Sequence, residues 1–451
     1  MMALQQAAQI LNAELHGEDV EFSSVSTDTR SMQKGDLYVA LHGENFDGHD
    51  YLEQAKQSGA IAAVVHKDVQ TTLPHLKVQD TRKALGKLAS AWRQLFSGKV
   101  VAITGSNGKT TVKEMTAALL EEQGEVLATA GNFNNDIGLP LTLLRLAKED
   151  YAVIEMGANH AGEISYLTGI TQPDIAIINN AGASHLDGFG SLEGVATAKG
   201  EIYQGLGKNG IAIINKDDQF SDYWISLCAD HKILKFSMKD KTASVYGEWQ
   251  QNKTGGELKI TISEDGNIKE TFNVNLRLFG LHNAMNALAA TTVGIALGVS
   301  GKKISSALNG FKAVKGRLNV QQINDNLTVI DDTYNANPSS LEAGINVLKE
   351  MNGQHWLVLG DMGELGGDEE KFHAEAGKKA HSSGVNKLLA VGKTSQYAVN
   401  AFGMGAQFFE NKDELVSYIK QHKSEELTIL IKGSRFMHME EIVESLIKEG
   451  N

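Results

Sequence analysis

The stretch VVAITGSNGKTTV, residues 100–112, sets an aliphatic run before Gly105, Ser106, Asn107, Gly108, Lys109, Thr110 and Thr111, and a helix-like pattern follows. Glycines let backbone N–H groups crowd around phosphate oxygens, a helix N-terminus adds positive potential, and Lys109 brings a mobile charge. Thr110 stands where a hydroxyl would ligate Mg²⁺. The common phosphate-loop pattern has its first glycine five residues before Gly108, where this chain has Ile103, so Gly105 makes the loop shorter. A strand before, a helix after and Gly-Lys-Thr-Thr between favour nucleotide binding over a glycine-rich turn with an incidental lysine.

Glu155 ends the run YAVIE. In an open parallel sheet, ligands gather outside the carboxyl ends of the strands, so a carboxylate there can face a metal ion beside Thr110. The other reading is an acid that caps the next helix. The run PDIAIINN leads to His185 on a loop and Lys199 on the following helix. Taken alone, these two are a structural histidine and a solvated lysine as readily as functional groups.

Short aliphatic runs recur at 61–65, 100–104, 151–155, 175–179, 211–215, 327–331, 356–360, 388–392 and 427–432. Several precede amphipathic stretches, which predicts an α/β fold of mostly parallel sheets with crossover helices. Residues 239–278 instead alternate polar and apolar, with turn signals at Gly255-Gly256 and Asp265-Gly266, which predicts a small antiparallel insertion of hairpins, packed on one face or covering an edge of the central sheet. Seams between βα series fall near residues 81–98 and 311–316.

The chain has 451 residues, which at roughly 100–200 residues per domain predicts two to four domains. A formal charge of −13 repels polyanions and argues against nucleic-acid or anionic-membrane binding, so any anionic ligand must be met by local cations. The single cysteine, Cys228, allows no intrachain disulfide, and residues 1–15 show no signal pattern; both point to the cytoplasm. Residues 287–299, the most apolar stretch, are too short to span a bilayer.

The segments TGSNGKTTVKEM, GNFNNDIGLPLTLL, EMGANHAGEI, SHLDGFGS, AKGEI, GLHNAMNALAA, GRLNV, DDTYNANP, LGDMGELG and IKGSR together resemble the Mur ligases. From STDTR at residues 26–30 to Arg435, the resemblance covers nearly the whole chain, and GNFNNDIGLP and DDTYNANP are its specific parts. It implies a small N-terminal α/β domain (1–81) for the uridine nucleotide of the substrate and a central phosphate-loop ATPase (82–312). A C-terminal Rossmann-like domain (313–451) would close over the amino substrate. The implied activity is an ADP-forming amide ligase acting through an acyl phosphate, with D-alanyl-D-alanine and UDP-N-acetylmuramoyl-tripeptide as substrates and ATP and Mg²⁺ required. A monomer and a large closing motion about residues 311–316 are also expected.

Position by position, the resemblance gives Lys109 and the amides of Gly105 to Thr111 the β- and γ-phosphates, and Thr110 and Glu155 one Mg²⁺. His185 and Lys199 serve a second, with Lys199 in relatives carrying a carbamate from CO₂. His282, Asn283 and Asn286 lie near the adenine, and Asp332 reaches ATP from the C-terminal side. Arg317, Lys432 and Arg435, cations beside glycine turns in an acidic chain, are expected to neutralise phosphoryl and carboxylate charge on closure, although each taken singly is more often a surface charge. Asn134, Asn135 and Asn335 contact substrate. Thr27, Asp28, Arg30, Asn45, Asp47 and His49 form the uridine pocket, although such polar clusters also make ordinary turns.

Three rivals remain. The ligase adding the third amino acid usually shows Asp-Asn-Pro-Arg, which this chain lacks. Folylpolyglutamate synthetase shares the loop but lacks the uridine domain. An ATP-driven switch would hydrolyse ATP steadily without an amino substrate.

Overall fold

The computed structural model describes residues 1–422 and 426–448. The runs rich in Val, Ile and Ala become buried parallel strands, as expected where helices cover both faces of a sheet. Among the described residues the strands form one two-stranded pair and sheets of five, nine and six strands.

The N-terminal sheet orders Glu14–His16, His75–Lys77, Ala60–Val65, Asp36–Val39 and Ser24–Ser26, with only the first pairing antiparallel. Helix Thr81–Arg93 follows, with the Asp80 carboxylate accepting from the amides of Arg82 and Lys83 at its start. Its Ala84, Leu85 and Leu88 join a core that also holds Leu4, Leu37 and Val64 from the N-terminal part and Leu143 and Leu167 from the central part. The expected seam at residues 81–98 is thus a shared helix. Burying each such aliphatic side chain contributes about 1.5–3 kcal/mol, so this seam is firmly packed.

The nine-stranded sheet carries the phosphate-loop strand, Lys99–Thr104, between Ile175–Ile178 and Tyr151–Glu155. Val126–Ala128 closes one edge, while Ile211–Asn215 and Lys232–Ser237 continue the other. The expected insertion does not stand apart on a face. Val245–Asn252 pairs parallel with Lys232–Ser237, and Gly255–Glu264 and Asn267–Leu276 then extend the same sheet antiparallel. Asp265 and Gly266, with φ of 50° and 76°, form the two-residue loop of the second hairpin. Positive φ at both positions gives the turn whose twist matches the strands. The Gly255-Gly256 signal opens a strand instead, and the preceding loop is Lys253-Thr254.

The C-terminal sheet orders Asn319–Asn324, Leu327–Asp332, Leu427–Lys432, Gln354–Leu359, Lys387–Val391 and Ala406–Phe409. All pairings are parallel except the first. Register sets Asp332 beside Lys432 at the strand ends. Those ends face the phosphate loop of the central sheet, and the cleft between them is the site. No described helix is long and apolar enough to cross a membrane.

Candidate active site

Gly108 precedes helix Lys109–Glu121 with φ of 77°, and a Cβ there would lie 2.4 Å from Asn286 Oδ1 and 2.6 Å from Asn179 Nδ2. Both the left-handed backbone and this close approach exclude other residues. The loop is held from the next strand: the amide of Ser106 donates to the Asn180 carbonyl at 3.0 Å, and that of Asn107 to Asn180 Oδ1 at 2.9 Å. Asn179 and Asn180 both donate back to the Asn107 carbonyl. Within the expected phosphate cradle of Gly105 to Thr111, Ser106 and Asn107 have committed their amides, while the helix start from Gly108 to Thr111 keeps amides that lack intrahelical partners. Lys109 folds back onto the Gly105 carbonyl at 2.7 Å, and burial lowers its pKa against the opposing charge of Glu155.

Glu155 is buried at its strand end; Asn134 donates to its Oε1 at 2.8 Å, and Oε2 has no partner among the described residues. A buried, orphaned carboxylate oxygen fits a cation. Among the described residues no cage of three or more His, Cys, Asp or Glu exists. That suits Mg²⁺, which is held by one or two protein oxygens together with phosphates and water. Asn134 thus braces Glu155, and Asn135 accepts from the amides of Ile137 and Gly138 at the start of a short helix.

Lys199 is buried, with its pKa pushed well below the usual lysine value by desolvation and then by the charge of Lys109. Among the described residues no carboxylate pairs with it. Its Nζ lies 5.9 Å from the Phe189 ring centroid, and it is not among the residues that line the cleft. His185 does line the cleft, with Nδ1 2.8 Å from Glu364 Oε2 of the C-terminal part. That neighbour holds the Glu364 carboxyl below its ordinary range.

From the far side, Arg317 stacks over the Tyr334 ring at 3.9 Å, and its Nη2 donates to Thr110 Oγ1 at 3.3 Å. Asp332 Oδ1 accepts from the Leu318 amide and so fixes the turn that carries Arg317. Lys432 is spoken for: its ammonium pairs with buried Asp332 and donates to the Asn335 carbonyl. Strand register thus supplies a counter-charge to the lysine expected to meet substrate anions in the cleft. Arg435 pairs with Glu440 at the cleft edge. His282 is partly buried in the cleft wall and kept neutral, its pKa lowered to about 4 by desolvation and then by Lys432. Asn286 accepts from Asn179 at 2.8 Å and buttresses the loop, and Asn283 caps back onto the Phe279 carbonyl.

Lys109, Glu155, His185, His282, Arg317 and Lys432 line one cavity of about 850 Å³. Thr27, Asp28, Arg30, Asn45, Asp47 and His49 lie outside it, in the N-terminal part. There Asp28 pairs with Arg30, which lowers its pKa to about 2, and Asp47 pairs with Lys67 and with His49. The Tyr38 hydroxyl donates to the Gly48 carbonyl, and its pKa is raised to about 12 by burial and by the charges of Asp28 and Asp47. Both expected segments thus meet around Tyr38.

Sequence reasoning missed Asn179, Asn180, Asn337, Ser339 and Glu364. Asn337 and Ser339 hydrogen-bond the Asn107 side chain across the cleft. The doubled asparagine ending PDIAIINN, beside the phosphate-loop strand, was the available signal for the first two.

Family models match residues 21–93 (Mur ligase family, catalytic domain), 103–294 (Mur ligase middle domain) and 316–435 (Mur ligase, glutamate ligase domain). The UDP-N-acetylmuramoyl-tripeptide–D-alanyl-D-alanine ligase of Escherichia coli (strain K12) is 46% identical, over 100% of this chain and 99% of its own. The enzyme of that name from Bacillus subtilis (strain 168) is 36% identical over 96% and 94%. A crystal structure of MurF from Acinetobacter baumannii superposes with a TM-score of 0.92 at 35% identity, covering 98% of both chains. MurF of Thermotoga maritima in complex with ADP gives 0.84 at 27% identity, over 96% and 99%. With a phosphate loop, a second sheet closing over it and these matches along its length, the chain belongs to the Mur ligase family.

Proposed function

We propose that the protein joins D-alanyl-D-alanine to UDP-N-acetylmuramoyl-tripeptide, with ATP cleaved to ADP and phosphate. The observation that carries the reading is the convergence of Lys109, Glu155 and Arg317, from two sheets, on the helix start at Gly108 to Thr111. The full-length likeness to ligases of that name supports the choice of substrates.

In the first step a carboxylate oxygen of the tripeptide attacks the γ-phosphorus, an acyl phosphate forms, and the bond to the β-phosphate oxygen breaks to release ADP. In the second, the dipeptide amine attacks the acyl carbon, phosphate leaves, and the amine loses its proton. Little covalent work falls to the protein, so positioning and charge carry the catalysis. Lys109 and the helix-start amides hold the phosphates. Arg317 meets the charge that develops on the transferred group. Neutral His282 and Asn283 offer an uncharged surface to the adenine base. Thr110 and Glu155 would hold Mg²⁺, which supplies further charge neutralisation. Closure over the cleft excludes water, which would otherwise hydrolyse the acyl phosphate. For the domain limits the reading is 1–81, 82–312 and 313–451, and it is supported by three sheets whose strands lie within 14–77, 99–276 and 319–432. ATP as substrate supports work in the cytoplasm. The N-terminal cluster around Tyr38 is the reading for the uridine nucleotide.

The deciding assay measures phosphate release from ATP with the UDP-tripeptide, with and without D-alanyl-D-alanine, beside mass detection of product. Release that needs both substrates, with product heavier by one dipeptide, is expected; release indifferent to the dipeptide refutes the reading.

For Lys199 the reading is a carbamate formed when its amine nitrogen attacks CO₂ and loses a proton. Desolvation supports it by favouring the neutral amine this attack requires. The product would turn a cationic side chain into an oxygen ligand. Protein equilibrated with carbon-13 bicarbonate should show one slow carbamate resonance that Lys199→Arg abolishes. No such resonance in the unsubstituted protein sinks the idea.

A further inference from the structure

Seven non-glycine residues among those described have positive φ, and three of them, His185 (52°), Leu318 (47°) and Glu364 (63°), line the cleft. For non-glycine residues this backbone is costly and persists where its surroundings over-determine it, commonly at working sites. Two of the three meet each other: Glu364 Oε2 lies 2.8 Å from His185 Nδ1, one from each side of the cleft.

The loop that presents Glu364 is tied down on every side. Gly360 donates to the Lys432 carbonyl, Met362 to His373 Nε2 and Gly363 to Ser434 Oγ. The Asp361 carboxylate accepts from the amides of Lys393, Thr394 and Ser395, which ties the loop to the neighbouring strand end. Beyond it, Gly366 passes against Asp187 of the central part. So much fixing for one half-exposed carboxylate implies that its position matters. His185 too has a left-handed backbone, at the start of the short helix Leu186–Phe189.

We propose that Glu364 is a positioning residue: its Oε2 stands at ion-pair distance from His185 Nδ1, a buried nitrogen with no aligned hydrogen-bond partner among the described residues, and it accepts the Nδ1 proton once nucleotide binding completes closure, fixing the imidazole's tautomer and orientation and leaving the lone pair on Nε2. A ring nitrogen's partner sets which nitrogen keeps the proton. Because donor and acceptor come from opposite sides, the arrangement exists only when the C-terminal part has closed. Chemistry at His185 is thereby tied to closure. The inference rests on the ligase reading above for its kinetic arm, but not for its spectroscopic arm.

The test compares Glu364→Met, which keeps volume but loses the acceptor, with Glu364→Gln, whose amide oxygen retains it. In nitrogen-15 histidine spectra of the protein closed by a non-hydrolysable ATP analogue, His185 should carry its proton on Nδ1. Glu364→Met should shift it to Nε2, and Glu364→Gln should not. In turnover, Glu364→Met should lose about 10–100-fold in kcat, with KM for the dipeptide little changed. Glu364→Gln should recover most of the loss. Combined with His185→Ala, the Met change should cost nothing further. Unchanged His185 nitrogens, losses that multiply in the double variant, or a loss confined to dipeptide KM would each overturn the proposal; the last would make Glu364 a direct substrate contact. If the enzyme forms no pentapeptide at all, the ligase reading fails while the spectra still judge Glu364.

Discussion

Replacing Arg317 by alanine should lower kcat by about a thousandfold, the lower end of what a cation supplied to a transferring phosphoryl group contributes. The side chain is the cation from the C-terminal part that reaches the phosphate loop, where it touches Thr110 Oγ1 while its plane rests on Tyr334. Its Nε is buried without a partner among the described residues, a donor held ready for an anion. Since Asp332 grips the turn through the Leu318 backbone, the substitution should leave the fold and the thermal midpoint nearly unchanged. Single-turnover measurement of ADP formation separates this step from product release. Arg317→Lys should recover only part of the loss, because an ammonium neither stacks on the ring nor presents a planar fork. Turnover of the alanine variant within a few-fold of the parent would remove Arg317 from the mechanism.

The second large effect is on stability. Asp332 and Lys432 form a buried ion pair at adjoining strand ends. Removing one partner of such a pair leaves an uncompensated charge and costs about 3–5 kcal/mol. The two removals are not equivalent. In Asp332→Ala the ammonium stays beside His282 and Arg317, in a field already positive. In Lys432→Met, Asp332 can take up a proton, since burial already raises its pKa. The folded form of that variant then binds a proton more tightly than the unfolded chain. Its stability should therefore be highest below the unfolded carboxyl pKa and fall as pH rises toward the raised folded value. Denaturant midpoints at several pH values test this: Asp332→Ala should be the weaker at acidic pH. Equal losses at every pH would contradict the assignment.

Much of the fold was legible because aliphatic runs bounded by glycine leave little choice but buried parallel strands. Tyr151–Glu155, Ile211–Asn215 and Leu427–Lys432 occur with the bounds the sequence implied. Val126–Ala128 and Lys232–Ser237 were missed, the first for its brevity and the second for its interleaved lysines. The insertion showed its antiparallel pairing through alternation. That it would lie at an edge of the central sheet was one of two placements the sequence left open, since pairing with Lys232–Ser237 leaves no local trace. In the site, Lys109 and Glu155 followed from strand-end logic. The capture of Lys432 by Asp332 did not, because it depends on register between strands a hundred residues apart. Glu364 was hidden in LGDMGELG for a similar reason: its partner lies across a cleft that local sequence does not describe.

The asparagine bracing of the phosphate loop bears on how nucleotide binding is distributed between order and disorder. With Ser106 and Asn107 pinned to Asn180, and Gly108 backed by Asn179 and Asn286, the loop takes its conformation when the sheet folds, before any nucleotide arrives. Fixing a residue's backbone costs about 1–2 kcal/mol in lost entropy. For these residues that loss belongs to folding, so nucleotide association orders little of the loop itself. The entropy change on binding is then left to water released from the phosphates and to the approach of the C-terminal part. A substitution at Asn180 would move the loop's share back into the binding equilibrium and weaken affinity without removing a single contact to the ligand.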